Sequence, residues 1–451
     1  MGIKVTVSNI GPFEHASLEL RPLTVIIGRN SLGKSMLAYL IWTLLTRRPS
    51  FVRLVSASWR LGALGIANDI LEKVKAGKSP EEDFRKLLRM YIEVLPEAVA
   101  FSIKDAIKSV FMASYKDLIR EGADNGTIVI EGSKVTLEVR FEKDRVKAVY
   151  LRPYVEFVEK LAVEVPEPKL LRVSYGKTTF EKTVVGMHDV IFTVFIALRR
   201  YINDAFSPLL FAAEDRVALL PDSRAGVSRT LLKPYLIPGL AEGVSYADRQ
   251  FISLYYRLAE RVHRGLVDLD MVKPLLEELG CSLKTVFRAG VYTVYLEMWS
   301  GKRLHLFRAP SGIRETLAVA LALASKVEPY AVVIEEPEAH LHPRAQRILA
   351  RLIARSVNKL GKIVLLTTHS DYMLYAINNL ITLSKTPEKM RELGYDESEA
   401  LDPGKVAAYL VRAEGRKAVL EHLEVGPEGI PEDEFAKVAE ELARERARLL
   451  A

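Results

Sequence analysis

Cysteine and glutamine are nearly absent from this chain. The single cysteine, Cys281, excludes an intramolecular disulfide and any cysteine-based zinc site, and glutamine occurs only at Gln250 and Gln346. Long apolar runs are missing too. Those around 190–198 and 316–324 fall well short of the roughly 18 to 20 residues that span a membrane. No signal peptide opens the sequence, so the expected compartment is the cytoplasm, without a membrane partner. With no internal repeat, low-complexity tract or sustained heptad, neither a solenoid nor a coiled-coil arm is expected.

What is present suits an ordinary globular protein. The 451 residues are 49% hydrophobic, enough for the cores of two or three domains. Charged residues make up 27% of the chain, and with so few thermolabile side chains this resembles the composition of a thermophile. The net charge is +7, of which +5 falls in 46–120 (14 Lys and Arg minus 9 Asp and Glu). That balance permits contact with nucleic acid without demanding it. The aromatic residues of this stretch, Phe84, Tyr91, Phe101 and Phe111, fit a core better than a stacking platform.

The pattern of apolar residues predicts an α/β protein. A half-buried strand at Ile3–Val7 leads through a turn at Gly11-Pro12 to an apolar strand at Leu23–Ile27 and a helix over Ser35–Leu45. Residues 46–120 read as helical, and 127–130, 135–141 and 146–151 as an antiparallel meander. A mixed, mainly helical stretch over 152–280 follows, interrupted by a short strand at Leu209–Ala213, and then a hairpin over 284–307. Helix 313–325, strand 331–334, helix 344–357, strand 362–367 and helix 372–380 alternate as in a parallel sheet with crossovers. Val406–Val411 and Ala418–Leu423 read as closing strands. The last helix, Glu432–Leu450, carries Phe435, Val438, Leu442 and Leu449 on one face, expected to point inward.

Four motifs carry chemistry. The stretch VIIGRNSLGKS (25–35) places Gly28, Gly33, Lys34 and Ser35 at the spacing of a phosphate-binding loop between strand and helix. There the backbone of Gly28, Arg29, Asn30, Ser31, Leu32 and Gly33 would wrap the phosphates of ATP. Lys34 would reach the terminal ones, and Ser35 would offer its hydroxyl to Mg²⁺. VVIEEPEAHLHP (332–343) ends a buried strand in two carboxylates at the edge where that loop begins. Adjacent strand residues point to opposite faces, which assigns Glu335 to the Mg²⁺ shell and Glu336 to the attacking water. A strand end that is acidic only for solubility is the competing reading.

TTHSDY (367–372) sets His369 beside the same edge, in reach of a terminal phosphate or the water. APSGIRE (309–315) opens a helix with Ser311 as its expected cap and Gly312 permitting close approach, a second anion site. His340 and His342, with Glu338, form either a metal-ligand set or part of an interface.

With these four elements in this order, the sequence resembles the ABC-type ATPases of the RecF/SMC/OLD branch, and within it the ATPase half of OLD-family proteins. The match covers about 1–45 and 300–382. It implies a split ATPase head built from 1–45, 125–150 and 283–451, with a helical insertion at 46–124 and a mostly helical one at 151–282. It further implies a head-to-tail homodimer in which Ser311 and Gly312 of one chain cap ATP held by the other, with His340 and His342 at the interface. ATP closes this switch and hydrolysis opens it. The output it implies is DNA engagement, or control of a separate nuclease or toxin, as in defence against phages and plasmids.

Several departures stand out. Ser31 occupies a loop position where glycine is usual, so a costly backbone conformation is expected. Glu335 stands where aspartate is common, and no glutamine precedes Gln250 to serve as the Q-loop residue. No nuclease half follows His369. The competing functions are a scaffold that holds ATP with little turnover and a transporter motor, the latter disfavoured by PSGIRE at the signature position.

Overall fold

The computed structural model describes residues 3–212, 214–224, 226–227, 245–288 and 290–450. The chain forms two compact units, Met1–Ser17 with Thr43–Ala213 and Leu18–Trp42 with Glu214–Ala451.

The first unit opens with β1 (Lys4–Ile10) and the start of β2 (Phe13–Glu19). Next come the helices α2 (Phe51–Arg60), α3 (Ala63–Lys75) and α4 (Glu81–Val110). Glu81, Glu82 and Asp83 in the first turn of α4 suit the positive end of its dipole, and Phe84, Leu87, Leu88, Tyr91 and Leu95 form its buried face. The meander β4 (Gly126–Glu131), β5 (Thr136–Phe141) and β6 (Val146–Arg152) is the one expected. Alternation fixes its register: Ile128 lies opposite Val139 and Ile130 opposite Leu137, all buried. β4 also pairs antiparallel with β1.

A short helix, α5 (Glu156–Glu159), precedes a second three-stranded meander, β7 (Ala162–Glu167), β8 (Leu170–Tyr175) and β9 (Thr178–Thr183). The expectation of a mostly helical 151–282 did not include these three strands. The outer strands β7 and β9 are largely exposed, and only Val163, Leu171 and Val173 of the meander are buried, an alternation too short to mark a sheet in the sequence. Helix α6 (Met187–Ala205) follows. The strand expected at Leu209–Ala213 is a turn through Phe211, at φ 52°, with Ala213 outside the described residues.

In the second unit a parallel sheet is assembled from β3 (Leu23–Gly28), β10 (Val217–Leu220), β14 (Ala331–Glu335), β15 (Ile363–Thr368) and β16 (Val406–Glu414). Its order is β10-β14-β15-β3-β16, with β17 (Lys417–Leu423) antiparallel on β16. β3, β10 and β14 are buried at every residue, which is why they read as unbroken apolar runs. The true strand of the 209–220 region is β10. Only its distant partner β14 distinguishes it from the neighbouring run at 209–213.

Helices cover this sheet: α1 (Lys34–Thr46), α7 (Tyr246–His263), α8 (Leu269–Glu278), α9 (Ser311–Ala324), α10 (Pro343–Leu360) and α11 (Asp371–Leu383). Phe251, Leu254, Leu258 and Val262 of α7 join the core formed by β3, β14 and β15. Residues 246–281 therefore pack with the nucleotide-loop segment, and 126–152 with the first unit, a division that differs from the expected segments. The antiparallel strands β11 (Cys281–Arg288), β12 (Val291–Met298) and β13 (Arg303–His305) form a separate small sheet before α9.

A short α12 (Pro387–Glu392) precedes β16, and α13 (Asp433–Leu450) ends the chain. The inward face expected of α13 is corrected at Leu442 and Leu449, which are 60% and 80% exposed, while the side chains of Phe435 and Val438 lie outside the described residues. Helical period identifies an apolar stripe but not what covers it.

Gly28 shows how tightly the sheet positions its loops. It ends β3 at φ 148° beside Val411 of β16, and a Cβ placed there would lie 2.6 Å from the Val411 carbonyl oxygen. Gly28→Ala is therefore expected to destabilise the protein by about 2–4 kcal/mol, from steric overlap added to an unfavourable φ. Urea unfolding measures this, and a midpoint equal to that of the parent would show that the strand end yields.

Candidate functional site

The parallel strands of the second unit bring their C-terminal ends to one edge, the position at which open α/β sheets bind ligands. β3 ends there in Gly28, and the chain turns through Arg29 to Gly33 into α1, with Ser31 at φ 65° and Gly33 at φ 95°. The departure at Ser31 thus takes the left-handed conformation that glycine adopts without cost. Arg29, Asn30, Ser31 and Ser35 are exposed, whereas Leu32 and Gly33 are half-buried.

Lys34 is buried. Its Nζ donates to the carbonyl oxygens of Gly28 at 2.7 Å and Arg29 at 2.8 Å. Burial lowers its pKa, and the negative potential of Glu336 and Glu338 partly restores it. An ammonium has three donors, and among the described residues the third has no partner. A half-desolvated cation with a spare donor at a helix N-terminus suits a phosphate oxygen.

β14 delivers the acidic residues, and they diverge as expected. Glu335 is buried; its Oε2 accepts from the Asp222 amide at 2.9 Å, and its carboxylate also accepts from the Tyr39 hydroxyl. Burial and the Glu335 charge hold the Tyr39 phenol far above its usual value, so it remains a neutral donor. Glu336 is half-buried at φ 41°, and its amide donates to the Thr367 carbonyl at 3.0 Å. Its Oε1 lies 3.2 Å from His369 Nδ1. Lys34 at the start of α1, Glu336 just after β14 and His369 just after β15 are thus brought to one edge. The set of Ser35 hydroxyl and Glu335 carboxylate is all oxygen, which suits the hard Mg²⁺ that accompanies a nucleotide.

Two residues that matter here are not evident in the sequence. Glu338, grouped there with His340 and His342, belongs to the sheet edge beside His369. It is buried, accepts the Thr368 hydroxyl at 2.6 Å and the His369 amide at 3.2 Å, and burial raises its carboxyl pKa. Arg224, after β10, is 1% exposed. It donates to the carbonyls of Leu220 at 3.2 Å, Pro221 at 2.9 Å, Glu335 at 2.5 Å and Glu336 at 2.9 Å. A signal existed in the basic residue that follows the apolar run VALL, but it could be used only with β10 correctly placed.

The metal-ligand reading of the histidines is corrected by their directions. His342 caps α10, its Nδ1 accepting from the Arg344 amide, and exposed His340 has its Nε2 3.7 Å from buried Glu315. Among the described residues no group of three or more His, Cys, Asp or Glu side chains is arranged to hold a metal. Ser311 differs from expectation as well: it is the first residue of α9, and the cap position is Pro310. Gly312 lies against the 336–342 loop, where an added Cβ would be 2.8 Å from the His340 carbonyl oxygen.

Comparison with known proteins gives limited matches. Residues 201–374 match the model of an AAA domain family described as a putative AbiEii toxin of a type IV toxin–antitoxin system. That match contains Arg224, Ser311, Glu335, Glu336 and His369, and excludes the 28–35 loop. No curated protein matches. Among solved structures, the chain is similar to a Smc head bound to the C-terminal winged-helix domain of ScpA, at 13% identity and a TM-score of 0.43, covering 94% of this chain and 97% of that one. The Smc head of Thermotoga maritima is 9% identical over 94% of this chain and 100% of that one, with a TM-score of 0.39. A Smc head with an extended coiled coil, derived from Pyrococcus furiosus and bound to the C-terminal domain of ScpA, is 12% identical over 98% of each, at 0.43. The strand order and the strand–loop–helix junction after β3 make the fold a mixed α/β one with a phosphate-loop-like turn at the sheet edge. No helix among the described residues is long and apolar enough to cross a membrane.

Glu338 yields a test of the electrostatics. A carboxyl whose folded pKa is raised costs stability once it must ionise, so its contribution is lost as pH rises from the ordinary value of 4.5 through the folded one. Glu338→Gln keeps an acceptor for Thr368 and removes that cost. The variant's melting temperature should gain on the parent as pH rises from 4.5 to neutrality. Parallel melting curves would show that Glu338 is not strained by its charge.

Proposed function

We propose that this protein binds and hydrolyses MgATP, and that ATP closes two copies head to tail as a switch. The observation that carries the reading is the convergence of Lys34, Glu336 and His369 at one sheet edge, with Glu335 held separately by Asp222 and Tyr39.

In this reading the 28–35 backbone and the Lys34 ammonium bind the phosphates, while Ser35 and Glu335 face the Mg²⁺ that enters with them. Glu336 accepts a proton from the water as its oxygen attacks the γ-phosphorus, and the bond to ADP breaks. His369 orients Glu336 through the 3.2 Å contact and lies beside the transferred phosphoryl group. Glu338 positions His369 through the His369 amide.

Ser311 and Gly312 act in trans on ATP held by the partner. The support is their joint surface with the 336–342 loop, in which Gly312 abuts His340 and Glu315 faces the same imidazole. Hydrolysis at one edge therefore shares a loop with the surface offered to the second copy. The toxin description attached to the family matching 201–374 favours an output in defence, through a nuclease or toxin partner or through DNA.

Lys34→Ala should abolish nucleotide binding, measured by calorimetry. Glu336→Gln should bind ATP normally, with turnover down by roughly 10²–10⁴-fold, and should accumulate as an ATP-dependent dimer in light scattering. Ser311→Arg should remain monomeric with ATP. Turnover by Glu336→Gln at the parent's rate would defeat the hydrolytic assignment, and a mass unchanged by ATP in that variant would defeat the switch.

A further inference from the structure

A second cavity lies in the same unit, bounded by α7 and the β11–β13 sheet. Its volume is about 500 Å³, and it is lined by Tyr255, Tyr256, Tyr292, Tyr295, Arg303 and Arg308 together with His305 and Phe307. The walls are aromatic in an ordered way. Tyr255 packs on Phe307 with ring centroids 4.9 Å apart, Tyr295 meets His305 edge-on at 5.3 Å, and the Arg303 guanidinium lies 4.7 Å over the Tyr295 ring.

Such a surface differs from an ordinary core in its unsatisfied polar groups. Tyr255 is 4% exposed, and its buried hydroxyl has no hydrogen-bond partner among the described residues. A buried hydroxyl left unpaired costs stability unless a ligand or water completes it. Arg308 is exposed at the mouth with no ion pair or hydrogen bond among the described residues. Burial and the neighbouring Arg308 lower the pKa of His305, and its ring lies against Phe307 with centroids 4.7 Å apart and planes tilted by 39°.

We propose that this cavity is a second ligand site, taking a nucleotide unit whose base stacks among the tyrosines and whose phosphate meets Arg308 and Arg303. Aromatic faces with arginine hold bases of any sequence, and charge-assisted bonds hold the phosphate. The inference goes beyond the ATPase reading and does not depend on it, because none of these residues belongs to the 28–35 edge. The ligand comes either as a free nucleoside monophosphate or as one nucleotide of a single strand.

The test uses the full chain carrying Lys34→Ala, which silences the first site, probed with GMP by calorimetry and with a short fluorescent oligodeoxyadenylate by anisotropy. Binding of either probe is expected, and binding of the oligonucleotide alone assigns the source to a strand. Arg308→Glu should weaken binding about tenfold or more, Tyr256→Ala about tenfold, and Tyr255→Phe, which removes only the orphan hydroxyl, about threefold. Arg308→Glu in the wild-type background should melt with the parent and keep basal ATPase, which separates this site from the first. Absence of binding by both probes at about 1 mM, or equal binding by Arg308→Glu, overturns the proposal.

Discussion

The buried guanidinium of Arg224 holds the acidic strand end in its working shape. It donates to carbonyls of Leu220 and Pro221 after β10 and of Glu335 and Glu336 after β14, so a single planar group ties two parallel strands where their ladder ends. Burial lowers its pKa, and Glu315, Asp222, Glu335 and Glu338 oppose that shift, but an arginine stays charged. The grip has a local purpose. Glu336 sits at φ 41°, a conformation that costs of order 1–3 kcal/mol for a residue with a side chain. Its amide is held by Thr367 and its carbonyl by Arg224, and this double restraint points the carboxylate away from Glu335 and toward His369.

From that geometry the carboxylates acquire different characters. Glu335 is engaged by a backbone amide and a neutral phenol. Glu338 is pushed toward protonation by burial while two donors from 368–369 pull the other way. Lys34 lies in the field of Glu336 and Glu338, and its ammonium rests on the carbonyls of its own loop. One edge thus holds a cation with a donor to spare beside carboxylates in unlike surroundings, an arrangement the proposed phosphoryl transfer would use.

The sequence revealed what local chemistry controls. A glycine-bracketed loop, apolar runs ending in acids and helices in between locate β3, β14, β15 and their neighbours within a residue or two. It concealed what depends on distant partners. LLFAA at 209–213 and VALL at 217–220 are equally apolar, and only pairing with β14 makes the second a strand, so Arg224 could not be placed at the edge. β7–β9 escaped because their buried alternation is confined to Val163, Leu171 and Val173, and α13 because a stripe of leucines does not name its cover. Glu338 was grouped with the histidines by adjacency, whereas the turn through Glu336 and Pro337 directs it inward. The glutamine that does follow late in the chain, Gln346, is structural: it accepts from Ser370 and donates to Leu341, joining α10 to the cap of α11.

The start of α9 is constrained from both sides. Toward the sheet edge, Gly312 lies against the His340 carbonyl, and His340 belongs to the loop that begins at Glu336. Toward the aromatic cavity, Phe307 lines the wall, and its carbonyl and that of Ala309 face the buried Arg314 guanidinium of the first turn. Interiors packed this closely pass displacements on instead of absorbing them. A movement of the 336–342 loop and one of the 305–308 segment therefore meet at Ser311 and Gly312. The direct contacts on each side make this helix start one physical path between the two places.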